Sequence, residues 1–339
     1  MNTDNNNHIN LEVAIPSSSL VNDKTLRDKT LKISKFARSF SIFGVRTVYI
    51  YQDNYLNHNK KSKTPEKNRY KFKIFTDESS FLKLILEYLD TPQYLRKLLY
   101  PMSPELKYAG LLEPLNSPHH MERIKIDAIK EGDLRIGVVR NYQDNSKIFK
   151  KISKYGIVNN QSSKSKPSIH QNITNRPNSQ FVDVGLDHLI PFIGKSHVGK
   201  KLTVKFFGRF PNIIAQEASE KDLKKKYWGY QVYVCNSLYD FLKKQINKKC
   251  ILLTSREGKN LKEVESDFKK LLNYYNNNLL VVYGSPKKDL NEICTNISKV
   301  VDINSGMYLN LFSEQHTKTI RLEEAILGSL SILNYILKP

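Results

Sequence analysis

The chain has 339 residues, enough for two domains with a proper core, and 54 Lys and Arg stand against 33 Asp and Glu, a formal net charge of +21. That excess is spread along the chain and attracts polyanions, nucleic acid being the commonest soluble one, although a general Lys/Asn-rich bias would produce the same balance. Three scattered cysteines exclude a disulfide framework and a Cys-x-x-Cys metal site, and no apolar run approaches the ~20 residues of a membrane span, so a soluble, cytoplasmic protein without membrane or metal partners is expected.

Residues 1–10 form a polar tail without a signal-peptide core. Leu11-Glu12-Val13-Ala14-Ile15-Pro16 reads as a strand closed by proline and three serines. A helix is predicted from about Lys24 to Phe43. Leu26, Ile33, Ala37 and Phe40 fall on one face at 100° per residue, and Lys24, Arg27, Lys35 and Arg38 on a neighbouring one. That basic face is either ordinary solvated surface or one that meets phosphate. Gly44 stops the helix and residues 45–51 supply the next strand, a β-α-β unit that starts a parallel sheet. Residues 53–73 read as a polar loop, Phe81–Leu89 as a helix, and Pro92 sits at the favoured first position of another. His119 and His120 lack a third ligand at metal spacing and read as loop residues.

The character changes between residues 121 and 212. Short β-type runs appear at 134–139, 181–184 and 202–206, with a polar stretch at 159–179 read as a mobile loop. About five short strands in ~90 residues suggest an inserted small β-barrel of the oligonucleotide-binding (OB) kind. Within it, Gly194-Lys195-Ser196-His197-Val198-Gly199-Lys200 fits the first seven positions of a phosphate-binding P-loop. Lys201 stands where a Mg²⁺-binding Ser or Thr is needed and a strand follows instead of a helix, so this is not a nucleoside-triphosphate site.

Alternation then returns: a helix near 238–244, the strand 250–254 with a turn at Ser255-Arg256-Glu257-Gly258, and a helix about 262–275. The strand 279–283 follows with its turn Gly284-Ser285-Pro286, then a short helix after Leu290 and a strand from Ser298 to Ile303. Asn304–Asn310 reads as irregular. Leu322, Ala325, Ile326, Leu330, Leu333 and Ile336 mark a last amphipathic helix, with Thr319 its expected N-cap and Glu323 and Glu324 in its first turns. Two polar turns after buried strands, near one helix start, can form a cofactor cradle of backbone groups or be the plain turns of any α/β domain. No Gly-x-Gly-x-x-Gly follows a strand, which disfavours the usual dinucleotide fold.

Taken in order, seven stretches resemble the SPOUT (α/β-knot) RNA methyltransferases, in the archaeal and eukaryotic subfamily with a β-barrel inserted in the knot domain. They are Ala14-Ile15-Pro16-Ser17-Ser18; Lys29-Thr30-Leu31-Lys32 with Ala37-Arg38 and Ile42-Phe43-Gly44-Val45; Thr91-Pro92-Gln93-Tyr94-Leu95-Arg96; Tyr227-Trp228-Gly229-Tyr230; Thr254-Ser255-Arg256-Glu257-Gly258; Tyr283-Gly284-Ser285-Pro286; and Arg321-Leu322-Glu323-Glu324-Ala325. The Lys-Thr-Leu-Lys form is nearer the archaeal members. Two departures stand out: Ser313 and Gln315-His316 replace Pro and Gln-Gly before the last helix, and Leu112-Glu113-Pro114-Leu115 replaces Leu-Pro-Pro-Leu.

The resemblance implies an α/β fold whose parallel sheet ends in a trefoil knot, built from residues 11–120 and 213–339 around an OB-like insert at 121–212. It also implies a homodimer that binds S-adenosylmethionine and methylates RNA, ribosomal RNA first among candidates. Cofactor contacts would come from Thr254, Ser255, Gly258, Gly284, Ser285, Pro286, Ile303, Asn310, Leu311, Gln315, Thr317 and Thr319. Arg38, Arg321 and Glu324 would serve catalysis, and Lys24, Arg27, Lys35 and Arg38 would bind RNA. For Arg321 and Glu324 the alternative is an ion pair anchoring the last helix. The rival reading of the whole chain is a non-catalytic RNA-binding or ribosome-assembly factor that keeps the knot. A DNA-binding architectural protein fits the charge but not the motifs.

Overall fold

The computed structural model describes residues 9–53, 78–141, 180–224, 226–295, 297–302 and 304–337. In chain order the elements begin with β1 (Asn10–Pro16), α1 (Leu26–Phe43), β2 (Thr47–Gln52), α2 (Glu78–Asp90) and α3 (Gln93–Leu99). Five short strands follow: β3 (Leu134–Asn141), β4 (Gln180–Asp183), β5 (Ile190–Ile193), β6 (Lys201–Phe207) and β7 (Ile214–Glu217). After α4 (Glu220–Lys224) come β8 (Gln231–Ser237), α5 (Leu238–Gln245), β9 (Cys250–Asn260), α6 (Leu261–Tyr274) and β10 (Asn278–Val282). The chain ends with α7 (Leu290–Ile293), α8 (Ile297–Val300), β11 (Gly306–Asn310) and α9 (Leu322–Leu337). Most of the polar loop read at 53–73 and all of the loop read at 159–179 lie outside the described residues.

Contacts divide the chain into two compact units, one of Met1–Asp90, Met102–Leu115 and Gly229–Pro339, the other of Thr91–Pro101 and Asn116–Trp228. The first unit is built on a six-stranded sheet in the order β11-β9-β10-β1-β2-β8, parallel at every pairing. Strand β10 is apolar on both faces, as a sheet covered on both sides demands, and β1 is so beyond Glu12, a buried carboxylate that pairs with Lys249. Helices α1, α2, α6 and α9 cover one face through Phe36, Phe40, Ile85, Phe268, Ile326 and Leu330. The other face carries α5, α7 and α8 through Phe241, Leu242, Leu290 and Ile297. Helix α1 starts after Thr25, whose hydroxyl accepts from the Asp28 N–H, and stops at Gly44 with φ 73°.

Four local expectations change. Strand β9 continues through the expected turn at Ser255–Gly258 to Asn260, because β11 pairs alongside with a register shift at Tyr308/Leu309. Asn304–Asn310 is largely that strand β11, held to a neighbour 50 residues earlier in sequence. Of the expected strand 298–303, residues up to Val300 belong instead to α8, Ile303 lies outside the described residues, and Ile297, Val300 and Val301 show the helical spacing. Thr319 does not cap α9: the helix begins at Leu322, and the Arg321 N–H donates to the Glu324 carboxylate at 3.0 Å.

The second unit is a closed five-stranded barrel, β3-β4-β5-β7-β6. All its pairings are antiparallel except β5 with β7. Leu202, Val204 and Phe206 of β6 point inward while Thr203 and Lys205 point out. Arg135 is buried here and donates to the carbonyls of Val184 and Glu122 at 3.0 and 2.7 Å, stacking over Tyr94 at 5.0 Å. Among the described residues no helix is long and apolar enough to cross a membrane, and no group of three His, Cys, Asp or Glu could hold a metal ion.

Candidate active site

A cleft of about 400 Å³ opens at the carboxyl ends of β9, β10 and β11. Ligands of open parallel sheets bind at this edge, where loops leave the strands. Three loops and the start of α9 wall it. Strand β9 contributes Thr254 and Ser255; the Thr254 hydroxyl donates to the Val282 carbonyl at 2.9 Å, and the Ser255 hydroxyl to Asp289 at 2.8 Å. After β10, Gly284-Ser285-Pro286 turns tightly: the Ser285 N–H donates to the Lys288 carbonyl and the Lys288 N–H to the Ser285 hydroxyl, both at 2.9 Å. A Cβ on Gly284 would lie 3.2 Å from the Lys288 carbonyl oxygen, so glycine lets the turn close.

The third loop follows β11. Asn310 donates from its amide to the Arg256 carbonyl at 3.0 Å and accepts the Phe312 N–H at 2.9 Å. Gln315 donates to the Thr317 carbonyl at 2.7 Å, and Arg256 reaches the Lys318 carbonyl at 3.2 Å. These bonds tie the 310–318 segment to the end of β9. Behind the cleft, the Tyr51 hydroxyl donates to the Tyr283 carbonyl at 2.6 Å and the Tyr283 hydroxyl meets Ser329 of α9 at 2.7 Å. Burial pushes both phenols up, and for Tyr51 the carboxylates of Asp53 and Asp289 add to it, so both stay neutral.

Of the predicted cofactor residues, Thr254, Ser255, Gly284, Ser285, Pro286, Asn310, Leu311, Gln315 and Thr319 meet around this cleft. Gly258 does not line it: its would-be Cβ lies 2.7 Å from the Leu309 backbone, so its small size serves the β9–β11 pairing. Thr317 borders a second, shallower depression with His316 and Lys262. Ile303 lies outside the described residues. The sequence reading missed Asp289, Lys288, Phe312 and Ser329 as lining residues. Asp289 carried a legible signal, because Glu292 three positions on completes a capping box at the start of α7.

Of the predicted basic face, Arg27, Lys35 and Arg38 are exposed on α1 and Lys24 is exposed just before its N-cap. Arg38 donates to the Leu115 carbonyl at 2.8 Å. Lys35 reaches Glu323 at 3.9 Å, which brings this face beside the start of α9. Arg321 and Glu324 are both exposed, and no side-chain pair joins them. The Glu324 carboxylate instead accepts the Arg321 backbone N–H, so the ion pair given as the alternative for these two residues is absent; Lys32 and Glu323 anchor the helix, 3.6 Å apart.

Comparisons with known proteins converge on one chemistry. The chain is 27% identical to a 28S rRNA (uridine-N(3))-methyltransferase of Drosophila melanogaster, with 99% of this chain aligned. It is 27% identical to the Homo sapiens and 25% to the Mus musculus protein of the same name, with 95% of this chain aligned in each. It spans 64% of the length of the fly relative and 77% of the human one. The sequence also matches a family profile described as "Putative RNA methyltransferase" over residues 10–333. A match over nearly the whole chain settles membership: the protein belongs to this RNA methyltransferase family.

Proposed function

We propose that the chain is an S-adenosylmethionine-dependent RNA methyltransferase of the SPOUT class, acting on ribosomal RNA as a homodimer. The observation that carries this is the three-loop cleft at the carboxyl edge of a parallel sheet, in a member of an RNA methyltransferase family. In this reading the threading of β9–β11 and α9 is the trefoil knot and the closed barrel is an OB-like insert. Ile42, Leu327 and Tyr335, 54%, 45% and 86% exposed on α1 and α9, supply the apolar face for a second copy.

The cleft suits the cofactor. Leu311, Phe312, Ile320 and Ala325 offer apolar surface to an adenine, while Ser255 and Asp289 offer groups for ribose hydroxyls or an amine. Lys287, Lys288 and Lys318 place cations where a carboxylate would lie. When bound, the cofactor supplies a methyl group on a positively charged sulfur.

The relatives' names point to uridine N3 as the acceptor. That atom lies on the Watson–Crick edge, so the target base must be unpaired or flipped out before it can be reached. Its N3 proton passes to solvent as the new bond to carbon forms, and the carbon–sulfur bond breaks with its electron pair left on sulfur. The Arg38 guanidinium offers only hydrogen-bond donors, so its role is to hold phosphate or to stabilise the negative charge that develops on the uracil oxygens. Positioning of base against methyl is what the protein chiefly contributes.

Calorimetry of the purified protein with S-adenosylmethionine tests the first half, with a micromolar Kd expected, about −8 kcal/mol. Transfer of a labelled methyl group to ribosomal RNA, followed by nucleoside analysis for N3-methyluridine, tests the second. Cofactor-free behaviour in both, from folded protein, would support the binding-only factor instead.

A further inference from the structure

The run that imitates a P-loop, residues 194–200, has no part in the cleft, yet the barrel builds it with care. It joins β5 to β6 and is braced at two points. The Gln180 side-chain amide donates to the Ser196 carbonyl at 2.5 Å and accepts the Ser196 N–H at 3.3 Å. Strand β3 then holds the far limb, the Gly199 N–H donating to the Val139 carbonyl at 2.9 Å and the Val139 N–H to the Lys200 carbonyl at 3.1 Å. Gly199 has φ 86°, a left-handed turn suited to glycine, and the Lys200 N–H closes that turn on the His197 carbonyl at 3.2 Å. At the near limb, a Cβ on Gly194 would lie 2.6 Å from the Phe192 ring.

A loop so braced presents a fixed outer surface. Ile193 and Val198 are 40% and 42% exposed there, and Lys195 and His197 are exposed beside them. Among the described residues, the backbone N–H groups of Lys195, His197 and Val198 have no acceptor and the Lys195 ammonium has no carboxylate. Lys200, by contrast, is committed to Glu217 at 3.0 Å. A triphosphate needs a following helix and a magnesium-binding hydroxyl, which this loop lacks. A single phosphodiester carries one charge and needs only amide donors and one cation, which the loop has. Apolar side chains next to it suit the face of an unstacked base or a ribose.

We propose that the β5–β6 loop is a contact for single-stranded RNA, Lys195 and the loop amides taking a phosphodiester and Val198 with Ile193 the adjoining base or sugar. This deepens the RNA methyltransferase reading and rests on it. The test uses the full chain and a fluorescein-labelled single-stranded oligouridylate of about 16 nucleotides, read by anisotropy across a salt series. Lys195→Glu is expected to weaken binding about tenfold and to flatten the logarithmic salt slope by about one. Val198→Ser should weaken it about threefold with the slope unchanged, as loss of an uncharged contact must. The control, Lys243→Glu on the exposed side of α5, makes the same charge change in the other unit and should cost less than twofold. Unaltered melting profiles certify the folds. Parent protein that binds while Lys195→Glu and Lys243→Glu behave alike overturns the loop assignment alone and leaves it free to dock a protein. Parent protein that binds no RNA at low salt overturns this proposal and the RNA methyltransferase reading together.

Discussion

Replacing Glu323 by Gln should destabilise the protein far more than replacing its neighbour Arg321 by Ala, although both sit at the start of α9. Glu323 is 11% exposed, and its buried Oε2 accepts no hydrogen bond among the described residues. What compensates its charge is the Lys32 ammonium at 3.6 Å, itself 8% exposed, with Lys35 at 3.9 Å. At an effective dielectric of about 20 the closer pair attracts by roughly 4–5 kcal/mol before desolvation is charged against it. Glu323→Gln keeps the shape but leaves Lys32 with Asp23 alone, at 3.0 Å. Because that second carboxylate remains, the loss should fall below the ~3–5 kcal/mol of a fully orphaned buried charge, at about 2–3 kcal/mol. Arg321 is exposed and offers only its backbone N–H to Glu324, so Arg321→Ala should cost no more than ~1 kcal/mol. Urea denaturation of the two variants, with Lys32→Met and the double variant Lys32→Met/Glu323→Gln to close a cycle, measures this. A Glu323→Gln cost below that of Arg321→Ala, or a cycle with no coupling, would refute the reasoning.

Four further outcomes follow from the same geometry. Tyr283→Phe deletes the hydroxyl that meets Ser329 at 2.7 Å; it should cost about 1 kcal/mol in denaturant and weaken cofactor binding by calorimetry, since Ser329 lines the cleft. Gly306→Ala would set a Cβ 2.4 Å from the Ile251 carbonyl, so β11 must shift off β9 at a cost of about 2–3 kcal/mol, read as a lowered denaturation midpoint. Asp222 is held down at about 2, first by the Lys205 hydrogen bond and then by Ser219. A depressed carboxyl stabilises above its unfolded value of about 4 and loses that as pH falls toward 2, so the melting gap between parent and Asp222→Asn should be full at pH 6 and narrow below pH 4. Arg38→Ala should cut single-turnover methyl transfer and RNA affinity while leaving cofactor affinity within twofold; a lost cofactor site would remove Arg38 from the RNA face.

Periodicity made much of this architecture legible. The runs at 11–16 and 279–283 are buried and apolar except at Glu12, and Gly44 announces the end of α1. Strand β6 alternates Leu202, Val204 and Phe206 with polar residues, and the barrel followed from it and its neighbours. The stretch from 297 to 310 was misread because the forces that shape it are distant. Gly306-Met307-Tyr308 becomes a strand only where the free edge of β9 lies beside it. Ile297, Val300 and Val301 make a short apolar run that serves strand and helix equally until partners decide. The same division holds at the cleft. Gly284-Ser285-Pro286 shows its turn chemistry locally, whereas Phe312 and Ser329 reach the cleft through a loop and a helix whose course depends on packing.

The sheet order separates the carboxyl edge into an open half and a closed half. Beyond β1 and β2, Asp53 accepts from Ser17 at 3.0 Å and from Ser18, all three buried, so that end is sealed by its own hydrogen bonds. Beyond β9, β10 and β11 the loops bond to one another instead and leave the cleft between them. Tyr51 joins the halves, its ring on the sealed side and its hydroxyl on the first carbonyl of the Gly284 turn. The cations divide in the same way. Lys32 spends its charge on Asp23 and Glu323 and holds α1 to α9, while Lys35 stays largely exposed, 3.9 Å from Glu323. Arg38 has a neutral carbonyl for its partner, which orients the guanidinium without neutralising it, and Arg321 is exposed with no carboxylate on its side chain among the described residues. Pairing the buried Lys32 and leaving these two exposed arginines unneutralised keeps positive charge on α1 and at the start of α9 at little cost in desolvation. Under the proposed function, an RNA substrate can then meet that charge without first breaking an ion pair.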